Sequence, residues 1–504
     1  MRYIDIHTKL NRTLKNGPAD HFSEDHRWGD DRNLLIVAAH VFRESAKLWK
    51  RYIPMLVIVL ISACTDFVDV GLPKNKLNEE DVFNEPETVE AALKSIYGKM
   101  RKLNIFIPLG LYTDELEYNG SNASLELFQT HSVLASNATV SSWWSSIYNH
   151  IYAANAVVEG VGNSTSLLLE DRDKFMGEAL FIRGYSHLLL VELFGDIPYI
   201  RTTDYIENTT VSRMPQGLVY ENIEEDLGLA LDLLPDEDIT GERIRTNKAV
   251  AEAVLARFYL YTGQWEEAKN MATIIINKFG ALELDVNKVF LKEASSTIWQ
   301  FKPDSEGKNS EEGSYLIFLG SPDNSPVLSS DLVNTFELGT IFQPEKRRQN
   351  WIKGVSNNTG TWYHAFKYKV RGLTFLPDGE TPNSEEYSIQ LRLAEQYLIR
   401  AEAWAQLGEI TKAQADINMI RNRAGLPNTT ANALDELLDA ILQERRIELF
   451  TEWGHRWFDL KRMGKAKEVL APLKPGWKDT DILFPIPENE IFLNPNLKQN
   501  DGYN

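Results

Sequence analysis

The densest set of residues able to do chemistry lies at positions 452–462, where carboxylates, basic groups and aromatic rings alternate. His455 and Asp459 stand four residues apart, so one helix face would hold both members of a proton-transfer pair. The same spacing also suits a partly buried helix whose rings pack in the core and whose charges pair along it. Just upstream, Glu444 and Glu448 flank two arginines, which favours an ion-paired helix surface. We therefore interpret this cluster as scaffold.

Motifs for other chemistry are missing from the sequence. Gly160 and Gly162 have no third glycine and follow a predicted helix, so they do not make a dinucleotide loop. The nine histidines are scattered, without the paired spacing of a zinc site. Acidic pairs are abundant, and a glycosidase needs only two carboxylates about 5–10 Å apart, so a hydrolase stays open as an alternative. No catalytic residue, metal ion or cofactor is predicted.

The only cysteine of the chain, Cys64, stands at the end of an apolar run that extends from Tyr52 to Ala63. A basic stretch precedes this run, which is too short to cross a bilayer and is typical of a signal peptide. Small residues before a cysteine are what a lipoprotein signal peptidase accepts. Cys64 is therefore predicted to be a lipid anchor; a short buried strand with a core cysteine is the alternative.

These features divide the chain into four predicted segments. Residues 1–46 are polar and are interpreted as an over-extended gene model or a disordered segment. Residues 47–63 are the predicted lipoprotein signal peptide, and residues 64–77 a lipidated tether. Residues 78–504 are predicted to form a single domain.

Apolar residues at helical spacing predict a mainly α-helical body with helices over 89–103, 143–161 and 172–194. Two further segments resemble each other at a constant offset of 145 positions, each with a glycine turn, at Gly263 and at Gly408. A helix, a glycine turn and a second helix with small alanines at the contact are typical of tetratricopeptide pairs.

The pairs are separated by long stretches rich in Gly, Pro, Asn and Ser, which predict loop-rich insertions with a few short strands, such as 297–301 and 315–318. Loops mounted on a rigid scaffold are where binding residues usually lie. The predicted helical scaffold covers about 78–110, 143–195, 217–280 and 389–465, the insertions cover about 111–142, 196–216 and 281–388, and a C-terminal wrap covers 466–504.

Composition excludes several classes of protein. The chain has 504 residues, of which 43% are apolar, so a disordered chain is excluded. Its formal net charge is −19, which argues against a nucleic-acid partner and against attachment to acidic lipids by charge.

Several ordered motifs carry a family resemblance that spans essentially all of the chain after residue 63. They are Cys64-Thr-Asp-Phe-Val-Asp69, Asn149-His-Ile-Tyr-Ala-Ala-Asn155, Phe194-Gly-Asp-Ile-Pro198, Leu391-Arg-Leu-Ala-Glu395, Arg421-Asn-Arg-Ala-Gly-Leu-Pro427, Glu444-Arg-Arg-Ile-Glu-Leu449, Gly454-His-Arg-Trp-Phe-Asp-Leu460 and Pro485-Ile-Pro-Glu-Asn-Glu-Ile491. In these motifs the chain resembles the SusD/RagB family of outer-membrane nutrient-binding lipoproteins.

The resemblance implies a SusD-like α/α superhelix built on tetratricopeptide pairs, with a loop-rich binding face. It implies a lipid-anchored, surface-exposed protein of the cell outer membrane. Such a protein would cover a SusC-like TonB-dependent porin as a lid. Members of the family bind oligosaccharides, or in some cases peptides, and do no chemistry.

Ligand residues of the family lie in diverging insertions, so none transfers by motif. Sugar rings stack on exposed aromatic rings, and polar side chains bind their hydroxyl groups. We therefore choose aromatic and polar residues outside the helical pattern as candidate ligand-binding residues. These are Tyr118, Asn119, Phe128, Tyr315, Phe318, Asp323, Asn324, Trp362 and Tyr363.

The favoured function is capture of an oligosaccharide or polysaccharide for a porin partner. Peptide binding on the same scaffold is one alternative. A secreted glycoside hydrolase and an adaptor without a ligand are the others.

Overall fold

The computed structural model describes residues 82–337, 344–373 and 383–503, all within one unit that spans Leu77–Asn504. The predicted anchor Cys64 and the predicted segments 1–46, 47–63 and 64–77 lie outside the described residues. In the part of the chain that the structure describes, no helix has the length and apolar character needed to cross a membrane.

Helices make up most of the described chain. They are α1 (Pro86–Met100), α2 (Phe106–Tyr112), α3 (Ala123–Gln129), α4 (Ala138–Asn163), α5 (Leu169–Phe194), α6 (Tyr205–Asn208), α7 (Gln216–Leu233), α8 (Lys248–Thr262), α9 (Trp265–Phe279), α10 (Glu311–Leu316), α11 (Ser330–Thr335), α12 (Lys346–Asn350), α13 (Leu393–Gln406), α14 (Ile410–Arg423), α15 (Leu434–Leu449), α16 (His455–Arg462), α17 (Ala466–Leu470) and α18 (Glu488–Leu493), with a 3₁₀ turn over Asp479–Ile482.

The three helices predicted near the start of the body are confirmed as α1, α4 and α5. Helix α4 begins five residues earlier than predicted because Asn137 caps it: the Asn137 side chain accepts from the backbone N–H groups of Thr139 and Val140 at 2.9 and 3.3 Å. Helix α5 ends where predicted, at Phe194, because Gly195 takes a φ of 72° that L-residues rarely adopt.

Both predicted helix pairs are confirmed. Gly263 joins α8 to α9 and Gly408 joins α13 to α14, with φ of 72° and 80°. Helix α9 also packs against α13, so the two pairs, distant in sequence, are adjacent in space. Ala268 and Ala403 are fully buried at this contact, where larger side chains would hold the helices apart.

The strands of the described residues are short and pair in three antiparallel two-stranded sheets. They are β1 (Leu116–Glu117) with β3 (Val327–Leu328), β2 (Thr297–Phe301) with β6 (Ser388–Arg392), and β4 (Ile352–Asn357) with β5 (Gly360–Ala365). Because Leu116 lies opposite Leu328, the β1–β3 sheet brings two of the predicted insertions together.

The strand predicted over 315–318 is wrong, because Tyr315 lies in helix α10. The Ser310 hydroxyl caps this helix by accepting from the backbone N–H of Gly313 at 3.1 Å. Glu311 and Glu312 in the first turn also favour a helix start, since carboxylates interact well with the positive end of the helix dipole.

The alternating charges of α15 are paired, as predicted, but they are buried, and the prediction of a helix surface is wrong. Glu448 is fully buried and its carboxylate pairs with Arg347, Arg392 and Arg423 at 2.9, 2.6 and 2.5 Å. All three partners come from other segments of the chain. The sequence motif therefore forms a buried ionic core that joins α15 to the preceding insertion and to α14.

His455 and Asp459 do not form a proton-transfer pair. The Asp459 carboxylate accepts instead from Arg445 at 2.7 Å and from Arg462 at 2.8 Å. Burial, together with the surrounding guanidinium groups, lowers the pKa of His455 well below its usual value. These contacts agree with the interpretation of the 452–462 cluster as scaffold.

Candidate functional site

A cleft of about 1190 Å³ opens between the end of α1, the first half of α4 and two insertion segments, 118–125 and 314–326. Its lining is rich in hydroxyl and amide side chains. Among the described residues that line it, none is a carboxylate, and the cationic side chains are Lys99 and Lys102. Such a lining can donate and accept many hydrogen bonds, but it offers no acid–base pair.

One wall of the cleft is a polar strip on helix α4. Ser142, Ser146 and Asn149 stand at spacings of four and three, so they share one helix face. Beneath them, the buried Trp143 donates its Nε1–H to the backbone carbonyl of Asn104 at 3.1 Å. That hydrogen bond fixes α4 to the turn between α1 and α2, so the strip has a rigid base.

A second wall begins at Tyr118, directly after β1. The Tyr118 ring is largely buried, and its hydroxyl accepts from the backbone N–H of Asn122 at 3.0 Å. A Cβ at Gly120 would come within 2.3 Å of that hydroxyl oxygen, so this tight loop requires glycine. Asn122 then caps α3 by accepting from the Ser124 and Leu125 backbone N–H groups.

The third wall carries an exposed aromatic ring. Tyr315 on α10 is 49% exposed, and its ring meets the Phe106 ring edge-on at 6.3 Å between centroids. The Asn324 side-chain oxygen accepts from the Ser121 backbone N–H and hydroxyl at 3.2 and 3.3 Å. These two bonds close the cleft by tying one insertion segment to the other.

Of the predicted ligand residues, the structure brings Tyr118, Tyr315 and Asn324 together at the cleft. Asn119 and Asp323 are exposed next to them in the chain but do not line the cleft.

The prediction of an exposed ring is wrong for Phe128 and Phe318, which are both buried. Phe128 packs against Tyr112, Trp143 and Phe484 at centroid distances of 6.1, 5.3 and 5.7 Å. Phe318 packs against the His364 ring at 4.9 Å. Neither ring has a face to offer a ligand, so both belong to the core.

Trp362 and Tyr363 lie on β5 and are not among the residues that line the cleft, and both are half-buried. Tyr363 lies opposite Gly354, and the Arg348 guanidinium sits 5.5 Å from the centre of its ring. Trp362 lies opposite Val355 on the other strand. Neither ring therefore lines the cleft together with Tyr315 and Asn324.

The sequence-based choice missed the helical side of the cleft. Lys99, Lys102, Ser146 and Asn149 lie on or just after helices of the predicted scaffold, and Ser142 is the last residue of the predicted insertion 111–142. The sequence does contain a signal for this wall of the cleft, because small polar residues recur along one face of α4, next to two buried tryptophans. A solvent-exposed helix more often carries long charged side chains there.

Two buried carboxyl groups directly precede β1 in the chain and are tied to other segments. Both oxygens of Asp114 accept from Arg456 at 2.8 Å. The adjacent Glu115 accepts from the backbone N–H of Thr451 at 3.2 Å. Burial, with the neighbouring Asp114 carboxylate, raises the pKa of Glu115 to about 7. Glu115 therefore holds a proton in the folded protein at mildly acidic pH.

Replacing Glu115 with glutamine is expected to change how stability depends on pH. In the folded protein Glu115 keeps its proton up to about pH 7, whereas the unfolded side chain ionises near pH 4.5, so its contribution to stability falls as pH rises between these values. Glutamine has no such proton. The free energy of unfolding of the Glu115→Gln protein minus that of the wild type should therefore be about 1–3 kcal/mol larger at pH 8 than at pH 5. Urea unfolding of both proteins at pH 5 and at pH 8 measures this difference. The same difference at both pH values would contradict the prediction.

Two family models match the chain. The SusD family model matches residues 329–503, and a model described as starch-binding associating with outer membrane matches residues 66–260. The chain belongs to the SusD/RagB family. The chain is 28% identical over 523 residues to SusD-like protein P2 of Formosa agariphila, and this match covers 90% of the chain and 100% of that protein. It is 25% identical to the starch-binding protein SusD of Bacteroides thetaiotaomicron, covering 65% of this chain and 72% of that one.

Solved SusD structures share the fold. A SusD superfamily protein from Bacteroides vulgatus has a TM-score of 0.73 at 20% identity, covering 84% of this chain and 100% of that one. A laminarin-binding SusD-like protein has a TM-score of 0.70 at 24% identity, covering 83% and 100%. The predicted SusD-like helical superhelix is thereby confirmed. Neither of the two model matches includes residues 314–326, the cleft segment that carries Tyr315 and Asn324.

Proposed function

We propose that this protein captures a glycan in the cleft and does not act on it. The observation that carries the proposal is the lining itself: an exposed Tyr315 ring surrounded by hydroxyl and amide side chains. A sugar ring presents a C–H face that stacks on an aromatic ring and a rim of hydroxyl groups that hydrogen-bond to serine and asparagine. The volume of about 1190 Å³ exceeds the usual range of small-molecule pockets, roughly 300–1,000 Å³, and suits an oligosaccharide.

The same lining supports a role without catalysis. Glycoside hydrolysis uses two carboxyl groups that flank the scissile bond. No carboxylate is among the described residues that line the cleft, and the buried Asp114, just before β1, is paired with Arg456. A relative described as starch-binding and a structural neighbour described as laminarin-binding support glycans as the ligand class.

We also propose that the mature protein starts at Cys64, is lipidated there and lies on the surface of the outer membrane. The signal-peptide pattern at 47–63 and the outer-membrane association in the family description support this anchor. The captured glycan would then pass to a SusC-like TonB-dependent porin. Co-purification with such a transporter from solubilised outer membranes tests this delivery step.

Replacing Cys64 with alanine is expected to move the protein from the membrane to the soluble fraction, because no thiol would remain to carry the acyl chains. Fractionation of cells followed by immunoblotting measures this shift. A protein with the neighbouring Thr65→Ala substitution serves as the control and should stay with the membrane. Continued membrane association of the Cys64→Ala protein would contradict the proposed anchor.

Affinity electrophoresis of the purified protein through gels that each contain one soluble polysaccharide tests the binding function. Retardation by at least one polymer, without release of reducing sugar, is the expected result. Sugar release would favour the hydrolase. Retention of a peptide mixture, with no polysaccharide bound, would favour the peptide-binding alternative.

A further inference from the structure

The charge of the cleft differs in sign from the charge of the chain. The chain as a whole has 72 acidic and 53 basic side chains, a formal charge of −19. The described lining of the cleft has no acidic side chain, but it has Lys99 and Lys102. The lysines of the cleft attract anionic ligands, whereas the acidic remainder of the protein repels them.

The two lysines lie next to each other at the end of α1. The backbone N–H of Lys102 donates to the carbonyl of Lys99 at 3.1 Å, so one turn presents both side chains to the cleft. Both residues are exposed, and neither forms a salt bridge with a described residue. Lys94, one turn earlier on the same helix, instead pairs with Glu90 at 3.1 Å.

The neighbouring charges leave these two ammonium groups available to a ligand. Arg101, between them in sequence, is buried and pairs with Asp304 at 3.0 Å and with Glu311 at 3.3 Å. Glu311 is therefore occupied by an arginine. The exposed Asp323 directly precedes Asn324 in the chain but does not line the cleft.

His150 lies in the lining as a neutral group. Burial, with the nearby Lys99 ammonium, lowers the pKa of its imidazole to about 4. At neutral pH the ring adds no charge. The cationic character of the cleft thus comes from the two lysines and from the positive end of the α4 dipole, since Ala138 and Thr139 in its first turn line the cleft.

From this placement we infer that the ligand is an anionic glycan, one that bears uronate carboxylates or sulfate esters, bound with its acidic groups at Lys99 and Lys102. The inference rests on the proposed glycan-binding function and specifies its substrate class. Stacking on Tyr315 and hydrogen bonds to the serine strip recognise the sugar ring, and the two lysines select chains that carry acidic groups. Carboxylate and sulfate share the feature that a lysine recognises, namely negatively charged oxygen atoms.

Isothermal titration calorimetry of the purified protein against three polymers tests the inference: polygalacturonate, a sulfated galactan and neutral laminarin. At least one of the two acidic polymers should bind about tenfold or more tightly than laminarin. Preference for polygalacturonate would identify the carboxylate as the recognised group, and preference for the sulfated galactan would identify the sulfate ester.

Matched variants separate the cleft from general attraction of polyanions. A Lys99→Met, Lys102→Met double variant should bind the preferred acidic polymer about tenfold more weakly, since two charge contacts are lost. A Lys99→Arg, Lys102→Arg variant should keep most of the affinity. Lys94→Met removes the same charge from the same helix outside the cleft and should leave affinity unchanged.

Two results would overturn the inference, and they are distinguishable. Laminarin bound as tightly as either acidic polymer, with no effect of the double methionine variant, would refute the anionic ligand while glycan binding stands. No binding of any of the three polymers, nor of any polysaccharide in the electrophoresis panel, would refute glycan binding itself, and the anionic ligand with it.

Discussion

The Glu448→Gln protein is expected to unfold with a free energy about 3–5 kcal/mol lower than that of the wild type. Glu448 is fully buried and pairs with three arginines at once. Burial by itself would raise the pKa of Glu448, but the guanidinium groups of Arg423, Arg392 and Arg347 outweigh it and hold this pKa well below its usual value. Glutamine keeps the shape of the side chain and removes its charge, so buried positive charge is left uncompensated.

Urea unfolding followed by tryptophan fluorescence measures this effect. Asp439→Asn is the matched control, because Asp439 lies on the same helix, is exposed and pairs only loosely with Lys465 at 3.6 Å. Its free energy of unfolding should change by no more than about 0.5 kcal/mol. A Glu448→Gln protein as stable as the control would show that the buried ionic core contributes little net stability.

The Tyr315→Ala protein is expected to lose about 30-fold in glycan affinity, which corresponds to about 2 kcal/mol. Tyr315 is the half-exposed ring of the cleft, and it belongs to a lining rich in hydroxyl and amide side chains. The substitution removes the flat surface on which a sugar ring would stack. Tyr315→Phe keeps that surface and should retain most of the affinity.

Calorimetry with the polymer that binds the wild type measures the loss. Tyr205→Ala is the control, because Tyr205 is 73% exposed on α6 and does not line the cleft. Equal affinity of the Tyr315→Ala and wild-type proteins would mean that ligand capture, if it occurs, uses another surface.

Local sequence determines the parts of this fold that could be predicted. Gly195, Gly263 and Gly408 each end a helix because their backbone takes a positive φ, and glycine is the residue that allows it. Periodic apolar residues define the helices between them. Such signals lie within a few positions of the feature that they predict.

Burial in the insertions could not be predicted in this way, because it depends on residues far along the chain. Phe128 is in the core because Phe484, from the other end of the chain, packs against it. Glu448 is buried where Arg347, from an insertion, and Arg392, from the end of β6, pair with it. The cleft was only partly foreseen for the same reason: Lys99 and Asn149 belong to helices, and only the fold shows that they face Tyr315.

The bonds from Ser121 to Asn324 join residues 203 positions apart. A contact of this kind requires a long loop to close, a step whose entropic cost slows folding. On refolding, helical signal should therefore return before ligand affinity does. The segment 66–260, expressed alone, would carry the serine strip but not Tyr315. Such a fragment would lack one wall of the cleft, and it is not expected to bind the ligand. Ligand affinity is thus a direct assay of whether the complete chain has folded.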